Sequence, residues 1–521
     1  ESTSGSQVSL SGLNISPTVL ILLVMVGACL LCVFGVVFPQ GMSILGDLFS
    51  SSGEPIPTEA PPEIVEPFVP PTKPETGQTW LVMLYQDADD KILEQDIYLD
   101  LNEAERVGSD DHLHIVAQVD RYSGGYRGGT DWTTARRFYV TQDNDLQYVR
   151  SQLVEDLGEV NMSDGETLVD FVTWAVETLP ADKYVLILSD HGMGWPGGWS
   201  DPAPGGRGDP SIPLSSALGN QLYLMEIDAA LEEIRAQTGL EQFELIGMDA
   251  CLMGHLEVFT ALAPHARYAV ASQETEPALG WAYAEFLEAL KRDPNMDGAE
   301  LGRLIVESYI RDDQRIVDDQ ARAELLRQGS PLGGLFGAYS DVPAEQLAQQ
   351  MAQNITLSAV DLQAVPALLD SVNDLSFALQ GDKQTTAARA RSYAQSFTSV
   401  FGRTIPPSYI DLGHFCQLVR QESGNAQVVQ AAGSVLTALD QAVIAERHGP
   451  QKPGAAGISI YFPNSQLYES PSAGPQSYTI IAERFSEVSL WDDFLAYHYT
   501  GRSFEPETGA LVIPEAGTSI S

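Results

Sequence analysis

Apolar residues recur along this chain in two rhythms. Short unbroken runs, such as Trp80-Leu81-Val82-Met83-Leu84-Tyr85 and Tyr184-Val185-Leu186-Ile187-Leu188, read as strands covered on both faces. Between them the apolar positions fall three and four apart, the spacing of a helix with one buried stripe. The order predicted is strand 80–85, helix 92–106, strand 112–119, short strand 138–141, helix 167–178, strand 184–189, helix 223–237, strand 243–248, helix 256–262 and strand 268–272. Strands alternating with helices predict an α/β fold, a mostly parallel sheet with helices on both faces. Beyond residue 293 the pattern turns largely helical, with helices expected at 300–309, 344–354, 364–379, 385–397, 410–422 and 426–447. One strand returns at 457–463, and two placements are open for it: back in the first sheet, or within a separate C-terminal region.

The N-terminal part obeys neither rhythm. Residues 1–17 are polar, and 18–38 are continuously apolar and uncharged, long enough for a helix that spans a bilayer. A cleaved signal peptide is the competing reading, but no small-residue cleavage pattern follows the run. The expectation is therefore a single-pass anchor in the cell membrane with an extracytoplasmic body. Residues 39–78 are rich in Pro, Glu, Ser and Thr and read as a semi-extended spacer. The body then divides into a core at 79–330, the helical region at 331–500 and a tail at 501–521.

Charge narrows the classes of partner. With 28 Lys and Arg against 71 Asp and Glu, the formal charge is −43. Such a body repels nucleic acid and attracts cationic peptides. Only four cysteines occur, and Cys29 and Cys32 lie in the apolar run, so no disulfide framework holds the body. A bridge between Cys251 and Cys416 is conceivable but would consume the more interesting thiol.

Two short motifs carry the candidate chemistry. Ser189-Asp190-His191-Gly192 and Met248-Asp249-Ala250-Cys251 each follow a predicted strand. Reactive groups in open α/β sheets collect at the carboxyl ends of parallel strands. A histidine and a cysteine at two such ends can face one another as proton carrier and nucleophile. Taken alone, Cys251 reads as a small buried hydrophobe. The helical look of 252–262, however, puts it ahead of a helix, where the dipole favours thiolate. Asp249 alone reads as a turn or cap aspartate.

Together these motifs resemble the clostripain family of cysteine peptidases, within the caspase-like clan that includes gingipains and legumains. Supporting matches are Tyr85 to Asp90, Leu101-Asn102-Glu103, Ala271 to Pro277, Ile458 to Pro463 and Trp491 to Leu495, so the resemblance covers roughly residues 79 to 500. It implies a caspase-like sheet and an endopeptidase with His191 and Cys251 as the catalytic pair. It further implies that backbone N–H groups of Gly192 and Cys251 form the oxyanion hole. Asp249 would lie in the primary specificity pocket and favour substrates with Arg, or Lys, before the cleaved bond. Some members carry a second acid in the loop after the next strand. Ala278-Leu279-Gly280 offers none here, and Glu274 and Glu276 are the nearest substitutes.

The loop at 202–210 is rich in Gly and Pro, and Arg207 is its one basic residue, a candidate self-cleavage site between the two motifs. No cofactor is required for thiol chemistry, and no His/Cys set has zinc spacing. Asp87, Asp89 and Asp90 at a strand end are either solvated or a calcium site, as some family members require. The segment 293–298 imitates a calcium loop but lacks the closing Glu, and Asp297 reads better as a helix cap before Glu300. Two other functions compete. One is an inactive acidic surface module that binds basic peptides. The other is an adhesion protein displaying Arg207-Gly208-Asp209.

Overall fold

A computed structural model describes residues 67–514, apart from 124, 127–131, 204–207, 329–341 and 403. The apolar run at 18–38, most of the spacer and Arg207 lie outside the described residues. Among those described, no helix is long and apolar enough to cross a membrane.

Thirteen strands are described: β1 (Trp80–Ala88), β2 (Leu113–Arg121), β3 (Ala135–Tyr139), β4 (Gln152–Gly158), β5 (Lys183–Ser189), β6 (Gly197–Gly198), β7 (Leu222–Tyr223), β8 (Phe243–Asp249), β9 (Ala266–Ala271), β10 (Thr356–Asp361), β11 (Tyr409–Asp411), β12 (Val443–His448) and β13 (Ser459–Tyr461). Nine of them form one sheet in the order β12-β10-β9-β8-β5-β1-β2-β3-β4. The five central strands, β9 to β2, run parallel, and an antiparallel pair extends each edge.

The unbroken apolar runs follow from burial on both faces. Leu81, Met83 and Tyr85 of β1 join one core, and Trp80, Val82 and Leu84 join the other. The period-2 geometry of a strand sends alternate side chains to opposite sides. Helices Gly165–Thr178 and Leu224–Thr238 cover the first face, and Glu94–Glu105, Tyr283–Arg292 and Gly298–Ser308 cover the second. Each large side chain so buried contributes about 1.5–3 kcal/mol.

The C-terminal region departs from the predicted pattern. It supplies two sheet strands, β10 and β12, and of the two placements open for the late strand it does not take the one in that sheet. That strand, β13, pairs with β11 instead. The helix expected at 426–447 stops at Ala442, and Val443 begins β12. Polar pairing draws β10 inward: Thr356 Oγ1 accepts the N–H groups of Gln273 (2.9 Å) and Glu274 (2.8 Å). Asp297 caps its helix as predicted, accepting the Glu300 N–H at 2.9 Å.

Candidate active site

The site is built at the carboxyl ends of β1, β5 and β8. Ser189 of β5 and Asp249 of β8 are register partners. His191 and Cys251 each lie two residues beyond that pair, so adjacent parallel strands deliver them to the same edge. Both line one cleft with Asp100, Asp249, Glu276 and Gly280, which encloses about 410 Å³ including solvent at its mouth. The cleft wall leaves no room for a side chain at position 192. A Cβ on Gly192 would stand 2.2 Å from the Cys251 carbonyl oxygen.

Cys251 and Cys416 are separate thiols, and Cys416 is buried in the core. Cys251 is half-buried, and its Sγ accepts the backbone N–H of Glu276 at 3.3 Å. The helix expected directly after it does not begin there. Leu252 turns the chain through the left-handed region (φ 67°), and the helix starts at Leu256 behind His255. The thiol therefore lies off the helix terminus, and the Glu276 N–H takes the place of the dipole in favouring thiolate. The turn is pinned by the Leu252 N–H, which donates to the Glu274 carbonyl at 3.1 Å. A non-glycine residue in this conformation costs about 1–3 kcal/mol, and such strain gathers at functional sites.

His191 is held by a residue from a third strand end. Its Nε2 lies 3.4 Å from Asp90 Oδ1, and that oxygen also accepts the N–H groups of Ile92 (2.7 Å) and Leu93 (2.8 Å). Burial depresses the imidazole, but the hydrogen bond to Asp90 and the charges of Asp190 and Asp90 outweigh it and raise its pKa. On the other side, the Trp199 N–H donates to the His191 carbonyl at 3.0 Å and the Ser200 N–H to Asp190 Oδ2 at 2.8 Å. Asp90 was grouped with Asp87 and Asp89 in the sequence. The structure separates it from them, because β1 lies beside β5 and the chain turns at Asp90 toward the histidine.

Two acids meet in the cleft. Asp249 is buried and accepts the Tyr283 hydroxyl at 2.7 Å. It caps no helix. Glu276 accepts the Trp281 indole N–H at 3.1 Å on Oε2, and its Oε1 is buried without a donor. Burial pushes Asp249 up to about 6. Burial and the charge of Asp249 push Glu276 well above the carboxylate range. Asp100 also reaches the cleft, but Arg315 pairs with it at 2.8 Å. Glu274, the other predicted substitute, does not line the cleft. Its carboxylate is buried against Lys452 and accepts the Thr398 N–H at 3.1 Å, so it braces the wall rather than facing a substrate.

Comparison with known proteins bears on the family and the fold. Residues 84–323 match the sequence model of the clostripain family. Clostripain from Hathewaya histolytica is 22% identical over 428 residues, covering 74% of this chain and 75% of that protein. A secreted C11 cysteine protease from Bacteroides thetaiotaomicron, solved in complex with an irreversible peptide inhibitor, superposes with a TM-score of 0.51 at 20% identity. That superposition covers 79% of this chain and 99% of the other. An inactive zymogen C11 protease from Parabacteroides distasonis gives 0.52 at 15% identity over 80% of this chain and all of its own, 100%. The two superpositions speak to the fold, and the sequence match spans both motifs. The match to the clostripain family of cysteine peptidases thus covers residues 84–323, the part of the chain that holds both motifs.

Proposed function

We propose that the chain is an endopeptidase that cuts after arginine, and secondarily after lysine, with Cys251 as nucleophile and His191 as acid and base. One observation carries the reading: His191 and Cys251 extend equally far past a paired Ser189 and Asp249 into a cleft that also holds Glu276. The thiolate attacks the substrate carbonyl, and the C=O electron pair moves to oxygen. Backbone N–H groups of Gly192 and Cys251 receive that oxyanion. Imidazolium at His191 gives its proton to the leaving amine as the C–N bond breaks. Water then adds to the thioester, His191 takes its proton, and the acid is released with the thiol restored. The raised pKa of His191 suits the first of these transfers.

Asp249 and Glu276 give the cleft its preference for a cation, and the fork of a guanidinium matches two carboxylates better than an ammonium does. Self-cleavage after Arg207 belongs to the same proposal, since that residue lies between the motifs in a Gly/Pro-rich loop. So does tethering of an extracytoplasmic body through the apolar run at 18–38. The test compares wild type with Cys251→Ala on reporter peptides ending in Arg, Lys and a neutral residue. Turnover of the Arg peptide that disappears in the variant supports the reading. Equal turnover by both proteins removes Cys251 from the mechanism.

A further inference from the structure

The segment that faces the thiol, Ser272 to Glu276, follows the end of β9 and is tied to the turn that carries Cys251. The Leu252 N–H donates to the Glu274 carbonyl at 3.1 Å and the Gly254 N–H to the Ser272 carbonyl at 2.6 Å. In return the Glu276 N–H donates to Cys251 Sγ at 3.3 Å. The fit is close, since a Cβ on Gly254 would stand 2.9 Å from the Gln273 nitrogen. A displacement of 272–276 therefore moves both the left-handed Leu252 and the amide that donates to sulfur.

What holds that segment in turn is a hydroxyl from far along the chain. Ser358 of β10 is the register partner of Ala271, the last residue of β9. Two residues further along the antiparallel register, Thr356 comes opposite Gln273, where the β9 chain leaves the sheet. Its side chain takes over from the backbone ladder. Thr356 Oγ1 accepts the N–H groups of Gln273 and Glu274 and lies 2.9 Å from Ser272 Oγ. The Ser272 hydroxyl donates to the Glu274 carbonyl at 2.9 Å, so the Thr356 hydroxyl is the donor between the two. Two lone pairs and one proton are all that a hydroxyl offers, and Thr356 uses all three. Thr356, Ser272, Gln273 and Glu274 are buried, which keeps bulk water from replacing the hydroxyl. Without it the Gln273 N–H is left buried with no acceptor, a cost the turn relieves by moving. The other anchors of the segment grip side chains: Gln273 Nε2 donates to Asp411 Oδ2 at 3.0 Å, and Lys452 pairs with the Glu274 carboxylate.

We propose that Thr356 is a positioning residue for the thiol: its hydroxyl sets the backbone of 272–276 so that the Glu276 N–H is aimed at Cys251 Sγ and the Glu274 carbonyl holds the Leu252 turn. The inference rests on Cys251 as the nucleophile and is independent of the arginine preference. Thr356 touches neither the sulfur nor a substrate. It acts through the Glu276 amide, and a hydrogen bond donated to sulfur favours the thiolate over the thiol. The β10 strand is thereby part of the catalytic apparatus, although both motifs lie on the earlier strands β5 and β8.

The test reads the thiol directly. The full chain is alkylated with iodoacetamide, a small neutral reagent that needs no arginine pocket, and the rate at the Cys251 peptide is followed by mass spectrometry from pH 5 to 10. Thr356→Val, which keeps the shape and removes the hydroxyl, is expected to slow alkylation at pH 7 roughly tenfold and to move the midpoint of the pH–rate curve upward. Thr356→Ser, which restores the hydroxyl, is expected to keep the wild-type midpoint. Thr386→Val makes the same exchange at a buried position of the helix Gln384–Tyr393 and is expected to leave the midpoint in place. Should Thr356→Val fail to fold, Ser272→Ala breaks the same chain of bonds one link later and is expected to shift the midpoint the same way. An unmoved midpoint in folded Thr356→Val, or in Ser272→Ala where that variant stands in, overturns the proposal, as does an equal shift in Thr386→Val. A wild-type Cys251 no more reactive than glutathione at pH 7 defeats the nucleophile reading itself, and the inference with it.

Discussion

Replacing Glu276 by Gln isolates the second acid of the cleft. The variant keeps the acceptor for the Trp281 indole, and the backbone N–H that donates to Cys251 Sγ is untouched. What it removes is one charge-assisted bond to a bound guanidinium, worth about 1.5–3 kcal/mol. At about 1.4 kcal/mol per tenfold, kcat/KM for an arginine-ended peptide should fall roughly ten- to a hundredfold. A citrulline-ended peptide has nearly the same shape and no charge, and its kcat/KM should barely change. The raised carboxyls add a pH signature. Both carboxyls are raised, Asp249 to about 6 and Glu276 higher, so the free cleft holds protons that a cationic side chain must expel. Arginine cleavage in wild type should therefore strengthen as pH rises through about 6, and citrulline cleavage should lack that rise. The assay is kcat/KM for both peptides from pH 5 to 8. Equal losses on the two peptides, or an unchanged arginine rate, would refute the role given to Glu276.

Three further outcomes follow from the same geometry. Asp90→Asn keeps an acceptor for His191 but removes one of the charges that raise it, so kcat should drop roughly tenfold or more, and the alkaline limb of the pH–rate profile should move to lower pH. A lower rate with an unmoved limb would assign Asp90 a purely structural part. Gly192→Ala puts a methyl 2.2 Å from a backbone oxygen, and displacing the Gly192 N–H should cost about a hundredfold or more in kcat while circular dichroism stays that of the folded chain; near-normal turnover contradicts an oxyanion hole at this residue. Arg207→Ala should leave the chain intact by mass spectrometry where wild type shows two fragments, and a cut persisting at 207–208 would exclude self-processing after arginine.

Much of the site was legible because the central strands are parallel and covered on both faces. Such strands appear as apolar runs, and the residues just past each run fall at the reactive edge. That reading put His191, Cys251 and Asp249 at one edge, and all three line the same cleft. Asp90 was not among them, because nothing local distinguishes it from Asp87 and Asp89. Its contact with His191 depends on β1 lying beside β5, which is a tertiary fact. Glu274 and Glu276 looked equivalent for the same reason. Lys452, from far along the chain, claims one of them and leaves the other to the cleft. The helix after Cys251 was overextended, since an apolar run gives no warning of a left-handed Leu252. Edge strands were hardest. β4 carries exposed Glu155 and Asp156, and β12 continues without a breaker from the helix Ala426–Ala442. Neither presents the apolar run or the alternation that marks a strand.

The central claim is that Cys251 attacks the bond following an arginine held by Asp249 and Glu276. The most direct measurement treats the wild-type protein with a peptide ending in an arginyl chloromethyl ketone and locates the adduct by mass spectrometry. The account predicts one adduct, on Cys251, much slower to form with a citrulline-ended reagent and absent from Cys251→Ala. An adduct on Cys416, or equal labelling by the arginine and citrulline reagents, would contradict it.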